Sequence, residues 1–382
     1  MTEARRGRRI LMVAGEASGD HLGADLAKEI LARDPNCTIV GMAGERMRAA
    51  GVTPLVRIED VAGMGATELA STIRPILSAF GTMRRVLRED KPDLVILIDF
   101  ADFNLKFAWF ARRAKVPVLY YVPPQVWAWR RWRIRTLVKR ADRLAVVFPF
   151  EAELYEQAGG HVTFVGHPGI DRVKAAQDAS ATRARHGLSP NKPILAILPG
   201  SRRGEIQYLL QPMLEAARLL VSRHELEPVI ALASTLTEED LRKVAGPQAL
   251  AKVRIIQGDT YSIIATSTLA LVASGTATLE TALLGCPMVI AYKMSPLSYG
   301  IGKMLIRGVN FIGMPNLLAG RGLVPELIQH DVTPEKILDA AEPFLNPSRH
   351  DEVAAELRAV RAQLGEPGAA SRVAAIALEM IG

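Results

Sequence analysis

Short apolar runs without a charge, each cut off by Pro or Gly and followed by a helical period, recur along this chain and narrow the folds open to it. The clearest is Ile194 to Leu198, Ile-Leu-Ala-Ile-Leu, closed by Pro199-Gly200. With no polar residue alternating, such a run suits a strand buried on both faces, which parallel sheets covered by helices provide. Glu205 to Leu220 is then apolar at Ile206, Leu209, Leu210, Met213, Ala217 and Leu220, the spacing of one helix face. A strand, a Gly-Ser-Arg-Arg-Gly turn and a helix start would bring free amides and two guanidinium groups to one place, where an anion can sit.

The same alternation runs through both halves. Arg9 to Val13, Thr38 to Gly41, Asp93 to Phe100, Val116 to Val122, Leu144 to Phe148 and Thr163 to Val165 read as strands of a first sheet. Val229 to Ala233, Val253 to Ile256, Leu269 to Ala273 and Pro287 to Ala291 join Ile194 to Leu198 in a second. At 382 residues the chain suits two domains. The expectation is α/β: two facing doubly wound Rossmann-like domains with a cleft between them, divided near residue 170. Residues 174 to 191 read as a linker with a short helix, and a helical tail from about 351 to 382 is expected to pack back on the first domain.

Charge bears on partners. Lys and Arg number 47 against 40 Asp and Glu, a net +7 that favours anionic partners without choosing among them. Two cysteines, Cys37 and Cys286, are too few for a disulfide framework, so a reducing cytoplasm is the expectation. The histidines show no metal spacing, so neither a zinc site nor a cofactor is predicted. The basic stretch Arg5 to Arg9 precedes too short an apolar run for a signal peptide. Thr260 to Leu279 lacks charge, but its Ser and Thr residues and its Ser274-Gly275 turn argue against a membrane span.

Polar groups gather at the ends of the predicted strands, where doubly wound sheets place their chemistry. Gly15-Glu16-Ala17-Ser18-Gly19-Asp20 follows the first strand, with the next helix expected from near Asp20. The loop lacks the Gly-Lys-Ser/Thr ending of a P-loop. Glu16, Ser18 and Asp20 are instead candidates for binding acceptor hydroxyls. Asp99 closes the strongest apolar strand of the first half and is the leading candidate for a general base. Asp102 is placed to cap a helix beginning near Asn104. In the second half, Ser274, Gly275 and Thr276 open a helix that carries Glu280, whose carboxylate would suit a ribose diol.

Two stretches suggest surfaces. Gln125 to Arg135 interleaves three tryptophans with four arginines, which fits a membrane interface, a packed helix with solvated arginines, or single-stranded nucleic acid; nucleic acid ranks last because no other aromatic platform accompanies it. Met64, Leu69 and Ile73 belong to an apolar helical stretch that is either core or membrane contact, and Pro75 should bend it or end its first part.

Several of these segments together resemble lipid-A-disaccharide synthase. They are Ala14 to Asp20, Asp99 to Asn104, Val126 to Arg130, Leu198 to Glu205, Ala273 to Glu280 and Pro315 to Arg321, in the family's order across residues 10 to 330. One departure is Pro123, where the family often carries Ser. The resemblance implies a GT-B fold and inverting transfer from UDP-2,3-diacylglucosamine to 2,3-diacylglucosamine 1-phosphate, giving a β-1,6 disaccharide and UDP. It implies donor contacts from Gly200, Ser201, Arg202, Glu205, Ser274, Gly275, Thr276, Glu280, Asn316 and Arg321. Arg202 would also act in catalysis with Asp99. Acceptor contacts would come from Glu16, Ser18, Asp20, Asp102, Asn104, Trp129 and Arg130. The acylated substrates imply peripheral attachment to the inner face of the inner membrane of a Gram-negative bacterium, and a homodimer is left open. A UDP-sugar 2-epimerase of the same architecture is the alternative; a non-catalytic membrane module would leave Asp99, Arg202 and Glu280 without purpose.

Overall fold

The computed structural model describes residues 7–62, 69–126, 132–174, 176, 178–295 and 311–382. The chain divides into two compact units, one of residues 1–168 with 364–382, the other of residues 169–363.

Unit 1 begins with β1 (Arg9–Ala14), α1 (Ala17–Arg33), β2 (Thr38–Ala43), α2 (Glu45–Ala49), β3 (Thr53–Arg57), α3 (Ile58–Ala62) and α4 (Leu69–Glu89). It continues with β4 (Leu94–Ile98), α5 (Ala101–Arg113), β5 (Val118–Tyr121), α6 (Arg133–Arg140), β6 (Arg143–Val146), α7 (Pro149–Glu156) and β7 (Val162–Phe164). The seven strands lie parallel in the order β3-β2-β1-β4-β5-β6-β7. All five residues of β4, Leu-Val-Ile-Leu-Ile, are buried, as a strand covered by helices on both faces requires. β3 escapes the sequence reading because Thr-Pro-Leu-Val-Arg mixes polar residues with a Pro; as an edge strand with exposed Thr53, Pro54 and Arg57 it tolerates both.

Unit 2 starts with α8 (Gly169–Val173), α9 (Ala179–His186), β8 (Ile194–Leu198), α10 (Arg203–Arg223), β9 (Glu227–Leu232), α11 (Glu238–Leu250) and β10 (Arg254–Gln257). Then come α12 (Thr260–Thr266), β11 (Leu269–Ala273), α13 (Thr276–Leu283), β12 (Met288–Tyr292), α14 (Met314–Ala319), β13 (Glu326–Ile328), α15 (Pro334–Ala341) and α16 (Pro347–Gln363). Its six strands, again parallel, run β10-β9-β8-β11-β12-β13. One apolar cluster built on β8, β11 and β12 fills the unit.

The expected single tail is two helices with different allegiances. α16 stays with unit 2, where Arg361 Nη1 donates to the Leu283 carbonyl at the end of α13 at 3.1 Å. After Gly365 and Gly368, both at positive φ, α17 (Ala369–Glu379) packs on α1 in unit 1. Arg372 Nε donates to the Val165 carbonyl at 2.8 Å and holds it there. α4 runs on through Pro75 instead of ending there.

Candidate functional site

Each sheet has one point where neighbouring strands lead into helices that leave in opposite directions, and there the strand ends open a crevice. In unit 1 that point lies between β1 and β4, which pair from Ile10↔Leu94 to Ala14↔Ile98. The loops leaving it are Gly15-Glu16 and Asp99-Phe100. In unit 2 it lies between β8 and β11, paired through Val272↔Leu198. Its loops are Pro199 to Arg202 and Ser274-Gly275. Four of the motifs singled out in the sequence therefore sit at the two places where this topology puts binding sites.

At the unit 1 crevice the backbone is tightly specified. Asp99 and Phe100 both adopt left-handed conformations, at φ 47° and 45°, which cost free energy in residues other than glycine. Buried Asn104 compensates, its Nδ2 donating to the carbonyls of Ile98 at 3.1 Å and Asp99 at 2.9 Å; the Tyr120 hydroxyl donates to the Asp99 carbonyl at 2.8 Å. The Phe100 ring covers Gly15 so closely that a Cβ there would stand 2.2 Å from ring carbons, which explains the glycine. Phe100 stacks on Phe103 at 5.2 Å, so the turn is anchored in the aromatic core beneath it.

That bracing engages the backbone of Asp99 and leaves its carboxylate at the crevice. Burial, and then the neighbouring Glu16 carboxylate, push the Asp99 pKa up from 3.8 to about 6, with the Phe100 amide pulling the other way. A carboxyl group held near the pH of its task is what a general base needs. Glu16, directly before α1, and Ser18, in its first turn, are both exposed.

Three acceptor-side expectations change. The helix after β1 starts at Ala17, not near Asp20, and Asp20 is 6% exposed within it. Its carboxylate accepts from the amides of Gly44 at 2.8 Å, Arg46 at 3.0 Å and Met47 at 3.1 Å, so it caps α2. Asn104, 0% exposed, is a brace for the Asp99 turn. The next helix starts at Ala101, so Asp102 is no cap; it lies in the first turn and pairs with Arg133 Nη1 at 2.6 Å. Trp129, Arg130 and Met64 lie outside the described residues. Leu69 and Ile73 fall in the first two turns of α4, and their side chains also lie outside the described set.

In unit 2, Gly200 adopts φ 126°, and a Cβ on it would meet the Glu205 carboxylate at 2.5 Å. Glu205 Oε2 accepts from the amides of Ser201 at 2.8 Å and Arg202 at 3.3 Å. This corrects the expectation that those amides are free for an anion: the protein's own carboxylate occupies them. What remains is side-chain charge. Arg202 is 78% exposed and held only by a 3.4 Å contact to Glu205 Oε1. Across the crevice, Gly275 and Thr276 are exposed at the start of α13, whose first amides have no helical partners.

Glu280, on the second turn of α13, accepts from the Tyr261 hydroxyl at 3.0 Å. Burial pushes its pKa up, opposed by Tyr261 and by the charge of Arg172. Neither Tyr261 nor Arg172 was singled out from sequence. Arg172 sits on α8, and its Nε and Nη2 are buried without a hydrogen-bond partner, a costly arrangement that a bound anion would relieve. Only its place just after Gly166-His167-Pro168-Gly169 could have flagged it, and a lone arginine on a five-residue helix carries no pattern.

Asn316 and Arg321 both have partners within the protein. Asn316, 1% exposed, donates to the Val324 carbonyl at 2.8 Å and Glu326 Oε1 at 2.7 Å, and accepts from the amides of Leu323 at 2.8 Å and Val324 at 2.9 Å. Those four bonds exhaust a carboxamide's capacity, so its side chain fixes the loop leading to β13 and has nothing left for a ligand. Arg321 pairs with Glu356 Oε1 on α16 at 2.8 Å. A cavity of about 560 Å³ does open beside Asn316, but none of the β8 or β11 loop residues lines it.

The sequence profile of the lipid-A-disaccharide synthetase family matches residues 10–380, nearly the whole chain. This chain belongs to that family. Lipid-A-disaccharide synthase of Geobacter sulfurreducens is 45% identical over 384 residues, covering 100% of this chain and 99% of the relative. The Geobacter metallireducens enzyme is 44% identical over 377 residues, covering 98% of each. Family membership makes the chain an enzyme, a glycosyltransferase of lipid A biosynthesis.

Solved structures are similar to this synthetase-family chain at the level of fold. The calicheamicin glycosyltransferase CalG4 superposes with TM-score 0.65 at 16% identity, covering 99% of both chains. A UDP-GlcNAc 2-epimerase from Neisseria meningitidis superposes with TM-score 0.63 at 14% identity, covering 97% of this chain and 100% of that one. The fold is GT-B, built of two doubly wound units. Among the described residues, no helix is long and apolar enough to cross a membrane.

Proposed function

We propose that this chain transfers 2,3-diacylglucosamine from UDP-2,3-diacylglucosamine to the 6-hydroxyl of 2,3-diacylglucosamine 1-phosphate, with inversion, releasing UDP. The observation that carries the reading is Asp99: its backbone carbonyl is held by Asn104 and Tyr120, and its carboxylate stands at the unit 1 switch point with its pKa raised to about 6. The acceptor oxygen forms its bond to the donor's anomeric carbon as the bond to the diphosphate breaks, and the hydroxyl proton passes to Asp99. Negative charge then builds on the departing UDP. Arg202 supplies charge for it and the first amides of α13 and the buried guanidinium of Arg172 supply donors, while Glu280, oriented by Tyr261, receives the ribose hydroxyls. Fatty acyl chains on both substrates place the enzyme peripherally on the inner face of the inner membrane, since burying a methylene is worth about 0.8 kcal/mol.

Incubating the protein with both acylated sugars tests this. UDP and a β-1,6 disaccharide should appear together, and only with acceptor present. Turnover of UDP-sugar to its 2-epimer without acceptor would replace the transferase with the epimerase.

A further inference from the structure

Four large apolar side chains stand most exposed among the described residues, and three of them lie on or directly before helices of unit 1: Leu77 on α4 at 64%, Trp109 on α5 at 39% and Trp132, just before α6, at 70%. α4 packs on α5, and α5 on α6, so the three share one helical layer. Between α5 and α6 this layer opens a pocket of about 440 Å³ lined by Trp109, Arg112, Arg113, Thr136, Lys139 and Arg140. Four of the six are cations and none is acidic. Arg112 is compensated weakly by Asp142 at 3.7 Å, and Arg140 spends Nη1 on the Leu105 carbonyl at 2.8 Å. Arg113 lies over the Trp109 ring at 4.7 Å. Neither Arg113 nor Lys139 has an ion-pair partner among the described residues.

Cations converging on a concavity repel one another unless an anion fills it. Forked guanidinium groups, an ammonium and a threonine hydroxyl match the several oxygens of a phosphate. Trp109 in the pocket, with exposed Trp132 and Leu77 on the same helical layer, narrows the source. Indole rings partition to the headgroup level of a bilayer, and basic side chains are drawn to its anionic surface. We propose that this pocket binds the phosphate of an anionic phospholipid headgroup. It is separate from the sugar-transfer crevice: from Ala101, beside Asp99, to Arg113 the α5 helix advances about 18 Å at 1.5 Å per residue.

Sedimentation of the full chain with vesicles tests the assignment without any sugar transfer, so its failure and that of the proposed reaction are distinguishable. The wild type should bind phosphatidylcholine vesicles containing phosphatidylglycerol and bind pure phosphatidylcholine far more weakly. Arg113→Glu with Lys139→Glu should weaken binding to the anionic vesicles by on the order of 30-fold or more, as loss of two membrane-facing cations predicts. The pair Arg113→Lys with Lys139→Arg should bind like the wild type, and an unchanged thermal melt of the charge-reversed protein would exclude misfolding. Equal binding by the charge-reversed protein would overturn the proposal, as would equal affinity for neutral vesicles. Inorganic phosphate serves as a competing probe: if it binds the wild type through Arg113 and Lys139 while charge reversal leaves vesicle binding intact, the pocket holds free phosphate and the lipid assignment fails.

Discussion

Asp99→Asn separates what the carboxylate costs the fold from what it does in the reaction. In the folded protein its pKa stands near 6 against an ordinary 3.8, first through burial and then through Glu16. A rise of about 2 pH units, at roughly 1.4 kcal/mol each, bounds the cost of ionising it at about 3 kcal/mol. Because the side chain is only partly shielded from solvent, about 1–2 kcal/mol should be realised. The sign follows from where each state releases its proton. The unfolded chain does so near pH 4 and the folded chain near pH 6, so wild-type stability falls as pH rises through that window and stays lower above it. Asparagine carries no proton to lose. The variant should therefore match the wild type near pH 4 and exceed it by about 1–2 kcal/mol at pH 8. Asparagine enters the left-handed region readily, and any gain from that would be the same at both pH values. All four tryptophans, residues 109, 127, 129 and 132, belong to unit 1, so urea denaturation followed by their fluorescence reports on the relevant half. Turnover of the same variant should fall by about 10² to 10⁴. Equal stability gains at pH 4 and pH 8 would show that the carboxylate is not desolvated, and near-normal turnover would remove Asp99 as the base.

Glu16→Gln removes the second cause of the raised pKa but leaves burial, so the acidic limb of kcat/KM should move down from near pH 6 without reaching the ordinary carboxylate range; a fixed limb would assign it to another group. Arg202→Ala should lower turnover at saturating donor by about 10² to 10³ without altering the thermal melt, since its side chain is mostly exposed and weakly paired. Unchanged turnover would shift the leaving-group role to Arg172 and α13. Asn316→Ala should destabilise unit 2 by about 2–4 kcal/mol, because it strands two buried amides and the Val324 carbonyl; a normally stable variant with only a raised KM for donor would restore Asn316 to the binding site.

Asp20, Asn104, Glu205 and Asn316 show where reading the sequence for function succeeds and where it stops. Asp20, Asn104 and Glu205 lie just beyond strands that the sequence locates, because a charge-free apolar run is governed by local physics that the sequence displays, whereas Asn316, read as part of a loop, lies within α14. Their partners are mostly backbone amides or carbonyls, joined for Asn316 by the Glu326 carboxylate, and for Asp20 these are Gly44 and two residues of α2, 24 to 27 residues away. No spacing rule reveals that a carboxylate will cap a neighbouring helix instead of meeting a sugar, since either use calls for the same polar residue at the same strand end. Glu205 is the partial exception: three residues beyond Arg202 at a helix start, it occupies the capping-box position and could have been read that way. Arg172 and Tyr261 mark the opposite limit. Their significance lies in burial beside Glu280, which joins α8, α12 and α13 from distant parts of the chain. A fold can be inferred from periodicity because burial repeats along an element, but a site is assembled from single residues on separate elements. Four strand ends at two switch points were therefore legible, while the division of their polar residues between scaffold and chemistry required the coordinates.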